Sequence, residues 1–238
     1  MNCVVTINVG NYLSSNARSS FRAASRRWHA DYVEVSYNQF PQLNPCYLKS
    51  PIMTRLQHYA RIAFFDGDML IRDDAPNVFG IFDDPLKIYA VKDISDNRLS
   101  TPAEMRYDII AWVRAPYYEP ARKLLGGRVD YESYVTRFIN GGFFVCSPQL
   151  HSSLFGCLNS ILHLIGKEFV KNGHFEQALL NYALQVHLST SLVLVDEAWN
   201  YIDPDLSSGR MEKYVYHFTG ANHRALKPAV SNFPWTVS

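Results

Sequence analysis

Arg61-Ile62-Ala63-Phe64-Phe65-Asp66-Gly67-Asp68-Met69-Leu70-Ile71 is an apolar run that leads straight into two carboxylates. From Ile62 to Phe65 neither alternating face carries a polar residue, the pattern of a central strand in a parallel sheet covered on both sides. Side chains along a strand alternate with a period of two, so Asp66 and Asp68 leave the strand end on the same side. Gly67 between them has no Cβ and lets the phosphates of a ligand approach the backbone. In open α/β sheets, ligands bind at the carboxyl ends of the strands. Two carboxylates sharing one small volume there repel each other unless a cation lies between them. The stretch therefore predicts a divalent metal site that holds a phosphorylated substrate. The plainer alternative is a turn that Asp66 caps while Asp68 is solvated, because Asp and Gly are ordinary turn formers.

The 238 residues suffice for one α/β domain with a sizeable core, or for two small ones. A formal net charge of +1 argues against a strongly basic nucleic-acid surface, yet leaves room for a local basic cleft that takes a pyrophosphate. At 14% the aromatic content is high; aromatic faces serve both sugar sites and cores, and the core accounts for most of them. Cys3, Cys46, Cys146 and Cys157 form no CxxC pair and no zinc-ligand spacing, which suits a reducing compartment. No apolar segment approaches the roughly 20 residues that span a bilayer, and the N-terminus lacks signal-peptide form. A cytoplasmic chain without a transmembrane segment is the resulting expectation.

Outward from the central run, Cys3 to Val9 reads as a first strand, ended by Gly10-Asn11-Tyr12. Ser14, Ser15 and Asn16 offer caps for a helix through about Trp28, so the chain opens like a nucleotide-binding βα unit. Tyr32 to Tyr37 is a second strand, and Tyr47 to Tyr59 a helix that begins near Lys49, with Pro51 tolerated in its first turn. Beyond Asp68, Ile71 to Pro76 reads as loop and Lys87 to Asp93 as a strand ending in an acid. Residues 96 to 135 carry Tyr107, Trp112, Tyr117, Tyr118, Tyr131 and Tyr134 and suggest a long excursion that lines an acceptor site. Phe138 to Cys146 contains Asn140-Gly141-Gly142, where the glycines allow close approach before a buried apolar strand. Leu150 to Val170 has helical spacing, Phe175 to Ala183 is another helix, and Ser191 to Asp196 is a strand. A last strand, Tyr214 to Gly220, delivers His217 and Gly220 at its end. No internal repeat or low-complexity linker marks a boundary, so residues 1–238 read as one domain.

The order of these parts resembles the GT-A glycosyltransferases, particularly family 8, the glycogenin-like and galactosyltransferase-like proteins. The shared series is Lys49, Phe64-Phe65-Asp66-Gly67-Asp68, Asn140-Gly141-Gly142-Phe143-Phe144-Val145, Glu176-Gln177-Ala178-Leu179-Leu180-Asn181, Trp199-Asn200-Tyr201-Ile202, and His217-Phe218-Thr219-Gly220 followed by Lys227-Pro228. No single motif is specific; their joint order, from residue 3 to residue 228, is. The resemblance implies a single GT-A (Rossmann-like) α/β domain, its central mixed, mostly parallel sheet flanked by helices. A nucleotide-binding part would cover about 1–95 and an acceptor-side part about 96–238. It further implies transfer of a sugar, with retention, from a nucleotide-sugar such as a UDP-sugar to a glycan or protein acceptor, with Mn²⁺ or Mg²⁺. Asp66, Asp68 and His217 would be the metal ligands, a set that a hard or borderline cation accepts. Asn11, Tyr12, Lys49, Gly67, Gly220 and Lys227 would join those aspartates around the nucleotide-sugar. Asn140, Glu176 and Gln177 would surround the sugar and its reacting carbon. Glu176 is one methylene longer than the aspartate common at that place in the family.

Two other functions compete. A haloacid-dehalogenase-like phosphatase also uses Asp-x-Asp, but on its opening strand, whereas a strand, a helix and a strand precede the motif here. A non-catalytic nucleotide-sugar or glycan-binding protein would share the fold, which alone does not establish turnover.

Overall fold

The computed structural model describes residues 1–10, 13–93, 115–188, 190–202 and 213–218. The β-branched N-terminal run forms β1 (Asn2–Ile7), and the Ser14 hydroxyl caps α1 (Ser15–Arg27) by accepting from the Ala17 N–H. After β2 (Asp31–Val35), a 3-10 turn over Pro45–Leu48 runs into α2 (Lys49–Arg55). The helix expected to reach Tyr59 stops at Arg55. Tyr59 instead donates its hydroxyl to Asp31, and the Ala60 N–H is taken by the Met1 carbonyl, which aligns the chain for β3 (Arg61–Phe65). Next come β4 (Met69–Ile71), α3 (Val78–Ile81), β5 (Ile88–Lys92), α4 (Ala115–Leu125) and α5 (Tyr131–Thr136). The chain continues through β6 (Ile139–Cys146), α6 (Ser152–Ser160), α7 (Gly173–Leu188), β7 (Leu192–Val195), β8 (Tyr201–Ile202) and β9 (Val215–His217).

Six strands form one sheet in the order β2-β1-β3-β6-β5-β7. The pairs are parallel except the two made by β6, which runs antiparallel to β3 and β5. Every residue of β3 is buried, as a strand apolar on both faces requires. Ile62 and Phe64 belong to one apolar cluster with Met53 of α2, Phe155 of α6 and Leu179 of α7. Ala63 and Phe65 belong to a second, with Phe21 of α1, Phe79 of α3 and Tyr216 of β9. Helices thus cover both faces of the sheet. Phe64 stacks on Phe144 at 5.0 Å between ring centroids and Phe65 meets Phe143 at 5.2 Å, so β3 and β6 are locked through cross-strand rings. Each such fully buried ring stabilises the fold by about 1.5–3 kcal/mol relative to exposure.

A smaller sheet has the order β4-β9-β8. It corrects the reading of the segment after Asp68 as loop from Ile71 onward, since Ile71 is the last residue of β4. Its pairs Met69–His217, Leu70–Tyr216 and Ile71–Val215 join segments too distant in the chain for local patterning to reveal. The helical spacing from Leu150 to Val170 is realised only in part, as α6 and a 3-10 turn over Leu162–Leu164. Of the aromatic excursion, Tyr107 and Trp112 lie outside the described residues. Tyr134 is fully buried and Tyr118 packs against it and Tyr182 at 5.2 and 5.9 Å, so these rings build core, while Tyr131 is exposed.

At the carboxyl ends of β1 and β2, Glu34 accepts from Arg18, Asn8 and Tyr32. The Arg18 guanidinium is the main cause that brings its carboxyl down to about 2 from an ordinary 4.5, against the opposing effect of burial. A depressed folded-state value means stability that is present above pH 4.5 and lost as pH falls toward 2. Glu34→Gln is therefore expected to cost about 1 kcal/mol at neutral pH, the scale of a charge-assisted hydrogen bond in a partly wet site. Urea titrations of both proteins should show the difference shrinking in acid; a gap that is constant with pH would contradict this origin.

Candidate metal and donor site

β3 ends where the Asp66 N–H donates to the Gly142 carbonyl of β6, and the Met69 N–H closes a turn back to the Asp66 carbonyl. Asp66, Gly67 and Asp68 form that turn. A Cβ at Gly67 would lie 3.0 Å from the Ile7 carbonyl oxygen, so packing against the end of β1 by itself favours glycine. β4 leaves the turn and pairs with β9, which sets His217 beside it, and the Phe218 N–H donates to the Asp68 carbonyl. One ligand atom from each of Asp66, Asp68 and His217 then lies within 4.8 Å of the others. Ion–oxygen distances of roughly 2.0–2.6 Å place two ligands of one cation up to about 4–5 Å apart, so these residues fit a divalent ion with little movement.

Lys49, at the start of α2, is buried under this turn. Its ammonium stands 3.1 Å from Glu176 Oε2 and 3.8 Å from Asp66 Oδ1, and 5.5 Å from the centre of the Phe64 ring. Burial opposes the charge on Lys49, but Asp66 and Glu176 outweigh it and hold the ammonium above the usual lysine value. For Asp66, burial is the largest cause and Asp68 adds to it, so its carboxyl lies above the ordinary range despite Lys49 and His217. Burial likewise pushes the Glu176 carboxyl up to about 7 against the pull of Lys49. Carboxylates crowded together and partly or wholly withdrawn from water favour a proton or a cation, which agrees with the donor set.

Asn140-Gly141-Gly142 of β6 threads between these groups. A Cβ on Gly141 would lie 3.2 Å from Lys49 Nζ, and one on Gly142 would lie 2.8 Å from both His217 Cε1 and Met69 Cε. The close approach expected at these glycines is therefore made by the chain's own side chains. Gly142→Ala is expected to displace His217, costing about 1–3 kcal/mol of stability as overpacking does. Thermal unfolding should register that loss together with at least about tenfold weaker Mn²⁺ binding; an unchanged Mn²⁺ affinity would disprove the contact's importance.

Asn140 Oδ1 accepts both from the Gly142 N–H and from Asn200 Nδ2, each at 2.9 Å. Asn200 Oδ1 in turn lies 2.9 Å from His217 Nδ1, and His217 Nε2 is 3.1 Å from Asp68 Oδ1. Gln177 donates to Asp93 Oδ2 at 3.3 Å, which joins α7 to the acid at the end of β5. The structure thus gathers Asp66, Asp68, His217, Lys49, Glu176 and Asn140 into one contiguous cluster, with Gln177 one residue from Glu176 and Gly67 in the turn. Asn11, Tyr12, Gly220 and Lys227 lie outside the described residues. Two residues that the sequence reading did not single out as site residues are present, Asp93 and Asn200. Asp93 was visible as an acid ending a strand, but nothing local marks Asn200 as a partner of His217.

No family model matches the sequence, and no curated protein matches it. Solved structures match the fold. Mouse xyloside xylosyltransferase 1 in its apo form aligns with a TM-score of 0.53 at 10% identity, over 94% of this chain and 99% of that one. A glycosyltransferase involved in glycosylation of the major capsid of PBCV-1 aligns at 0.59 and 8% identity, over 94% of this chain and 96% of that one. The bifunctional glycosyltransferase WbbM, apo, aligns at 0.56 and 16% identity; the match covers 98% of this chain and 50% of WbbM. The chain has the GT-A fold of these glycosyltransferases. Its central mixed sheet flanked by helices is the common element.

Proposed function

We propose that this chain is a metal-dependent glycosyltransferase of the family 8 kind, which moves a sugar from a nucleotide-sugar, a UDP-sugar, to a glycan or protein acceptor with retention. One observation carries the reading: Asp66, Asp68 and His217 meet at the carboxyl end of the central strand with ligand atoms within 4.8 Å. The fold supports it, since the solved structures it is similar to are glycosyltransferases. Asp66, Asp68 and His217 would hold Mn²⁺ or Mg²⁺, which when bound neutralises charge on the departing nucleoside diphosphate.

The remaining roles belong to the protein's own side chains. Lys49 holds Asp66 and Glu176 in place from beneath and lends positive charge to the donor side of the site. Glu176 and Gln177 position the sugar. Asn140 has its amide oxygen engaged twice, which leaves its amide nitrogen as the group to meet a sugar hydroxyl. Retention has two routes, a covalent glycosyl intermediate or attack from the face that the diphosphate leaves. Glu176 is the carboxylate nearest to hand for the first, but it is buried and ion-paired with Lys49, a state suited to orienting a ligand. We therefore favour the second route. In it the bond from the anomeric carbon to the diphosphate oxygen breaks, the acceptor oxygen bonds to that carbon on the same face, and its proton passes to the diphosphate.

A panel of nucleotide-sugars tested with crude glycan acceptors should give release of nucleoside diphosphate only with Mn²⁺ or Mg²⁺ present. The product anomer, read by NMR, should match the donor. Binding without release would point to a non-catalytic binder, and an inverted product would overturn retention.

A further inference from the structure

We propose that Asn200 is a positioning residue that presets His217 with its Nε2 lone pair facing Asp68. The inference rests on reading Asp66, Asp68 and His217 as a cation site and names a residue outside it on which that site depends. Its origin is a backbone group. The Gly142 N–H can only donate, so the atom of Asn140 that meets it at 2.9 Å is the amide oxygen. That same oxygen lies 2.9 Å from Asn200, which must therefore present its NH₂ to Asn140. The Asn200 amide is thereby oriented, and its oxygen faces His217 Nδ1 at 2.9 Å. An amide oxygen only accepts, so Nδ1 carries the proton, and in the neutral ring Nε2 is left with its lone pair.

The consequence appears on the other side of the ring. Nε2 and Asp68 Oδ1 stand 3.1 Å apart, and in this tautomer with Asp68 ionised both are acceptors. Two facing lone pairs at this distance favour a positive charge beside them, as a bound cation would supply. Asn200 is fully buried and Asn140 and His217 nearly so, so water does not compete for these bonds and the direction set at Gly142 is carried undiluted to the imidazole. Hydrogen bonds that fix the tautomer and plane of a ligating histidine are worth roughly 10–100-fold in metal affinity.

The test reads the imidazole directly. The full chain, labelled with ¹⁵N-histidine and free of metal, is examined by NMR at alkaline pH, with the His217 signal assigned by its loss in His217→Gln. In the unsubstituted protein Nε2 should be the unprotonated nitrogen. Asn200→Asp should keep that tautomer, because a carboxylate also only accepts, whereas Asn200→Leu should give a mixture of tautomers. Mn²⁺ affinity, measured by electron paramagnetic resonance of the free ion, should fall about 10–100-fold in Asn200→Leu. An unprotonated Nδ1 in the unsubstituted protein overturns the proposal, as does Asn200→Leu with unchanged tautomer and Mn²⁺ affinity. If Asn200→Leu does not fold, the unsubstituted protein and Asn200→Asp decide. Absence of Mn²⁺ binding by the unsubstituted protein would defeat the cation reading, while the tautomer pattern would still judge Asn200.

Discussion

Asp66→Asn and Asp68→Asn are each expected to abolish metal-dependent donor binding, with transfer reduced at least about 10³-fold, while the fold is retained. The amide keeps the shape of the carboxylate and removes the charge that a divalent cation requires. The backbone bonds of the turn, Asp66 N–H to Gly142 and Phe218 N–H to Asp68, do not involve the substituted groups. Loss of one carboxylate also relieves the mutual repulsion that burial intensifies at Asp66. Folding should therefore survive, and even improve slightly. Thermal shift provides the reading: a nucleotide-sugar at 100-fold its Kd with Mn²⁺ adds about 2.7 kcal/mol to the native state. That increment should vanish in both variants. Full Mn²⁺-dependent transfer in either would remove the metal assignment.

Lys49→Met should produce the largest loss of stability, about 3–5 kcal/mol, because it strips the counter-charge from the buried Glu176 and the partly buried Asp66. Lys49 bridges Glu176 at 3.1 Å and Asp66 at 3.8 Å, and its side chain is only 6% exposed, so water cannot substitute for it. The loss depends on pH in a definite direction. Glu176 lies near 7 against an ordinary 4.5, a raised value, so its favourable contribution is complete below 4.5 and lost as pH rises through 7. Without the ammonium both carboxyls rise further, so the cost of Lys49→Met should be greatest at alkaline pH and smallest in mild acid. The double variant Lys49→Met/Glu176→Gln should recover part of the loss, since one stranded charge is gone. Urea unfolding of the set at two pH values measures all of this. A pH-independent loss, or a double variant no better than the single one, would show that packing rather than charge sets the cost.

Much of this protein is determined over short spans of sequence. Ile62 to Phe65, apolar on both faces, had to be an inner strand, and it is buried throughout. Ser14, Ser15 and Asn16 before an apolar periodicity offered caps for a helix, and Ser14 is the one that caps it, through the Ala17 N–H. Strand alternation led to the expectation that Asp66 and Asp68 share one side, but the strand stops at Phe65 and a turn closed by the Met69 N–H and the Asp66 carbonyl carries both of them. Glu176 and Gln177 at the head of a helix, and His217 at the end of a strand, follow from equally local patterns. The tertiary structure decided which of these ends meet. Lys49 and Glu176 are 127 residues apart in the chain, and Asn200 and Asn140 are 60 apart. The three-residue strand Met69–Ile71 is too short to show a period, and among the described residues its pairing with Val215–His217 defines it. Glycine at 142 shows in sequence that space is tight, but only the fold shows that the space belongs to His217 and Met69. Periodicity reports which face of an element is buried, whereas a site is made where different elements converge, and convergence is a property of packing. For that reason Asp66, Asp68, His217 and Lys49 could be named from the chain alone, whereas the ion pairs of Lys49 with Asp66 and Glu176 and the contact of Asn200 with His217 could not.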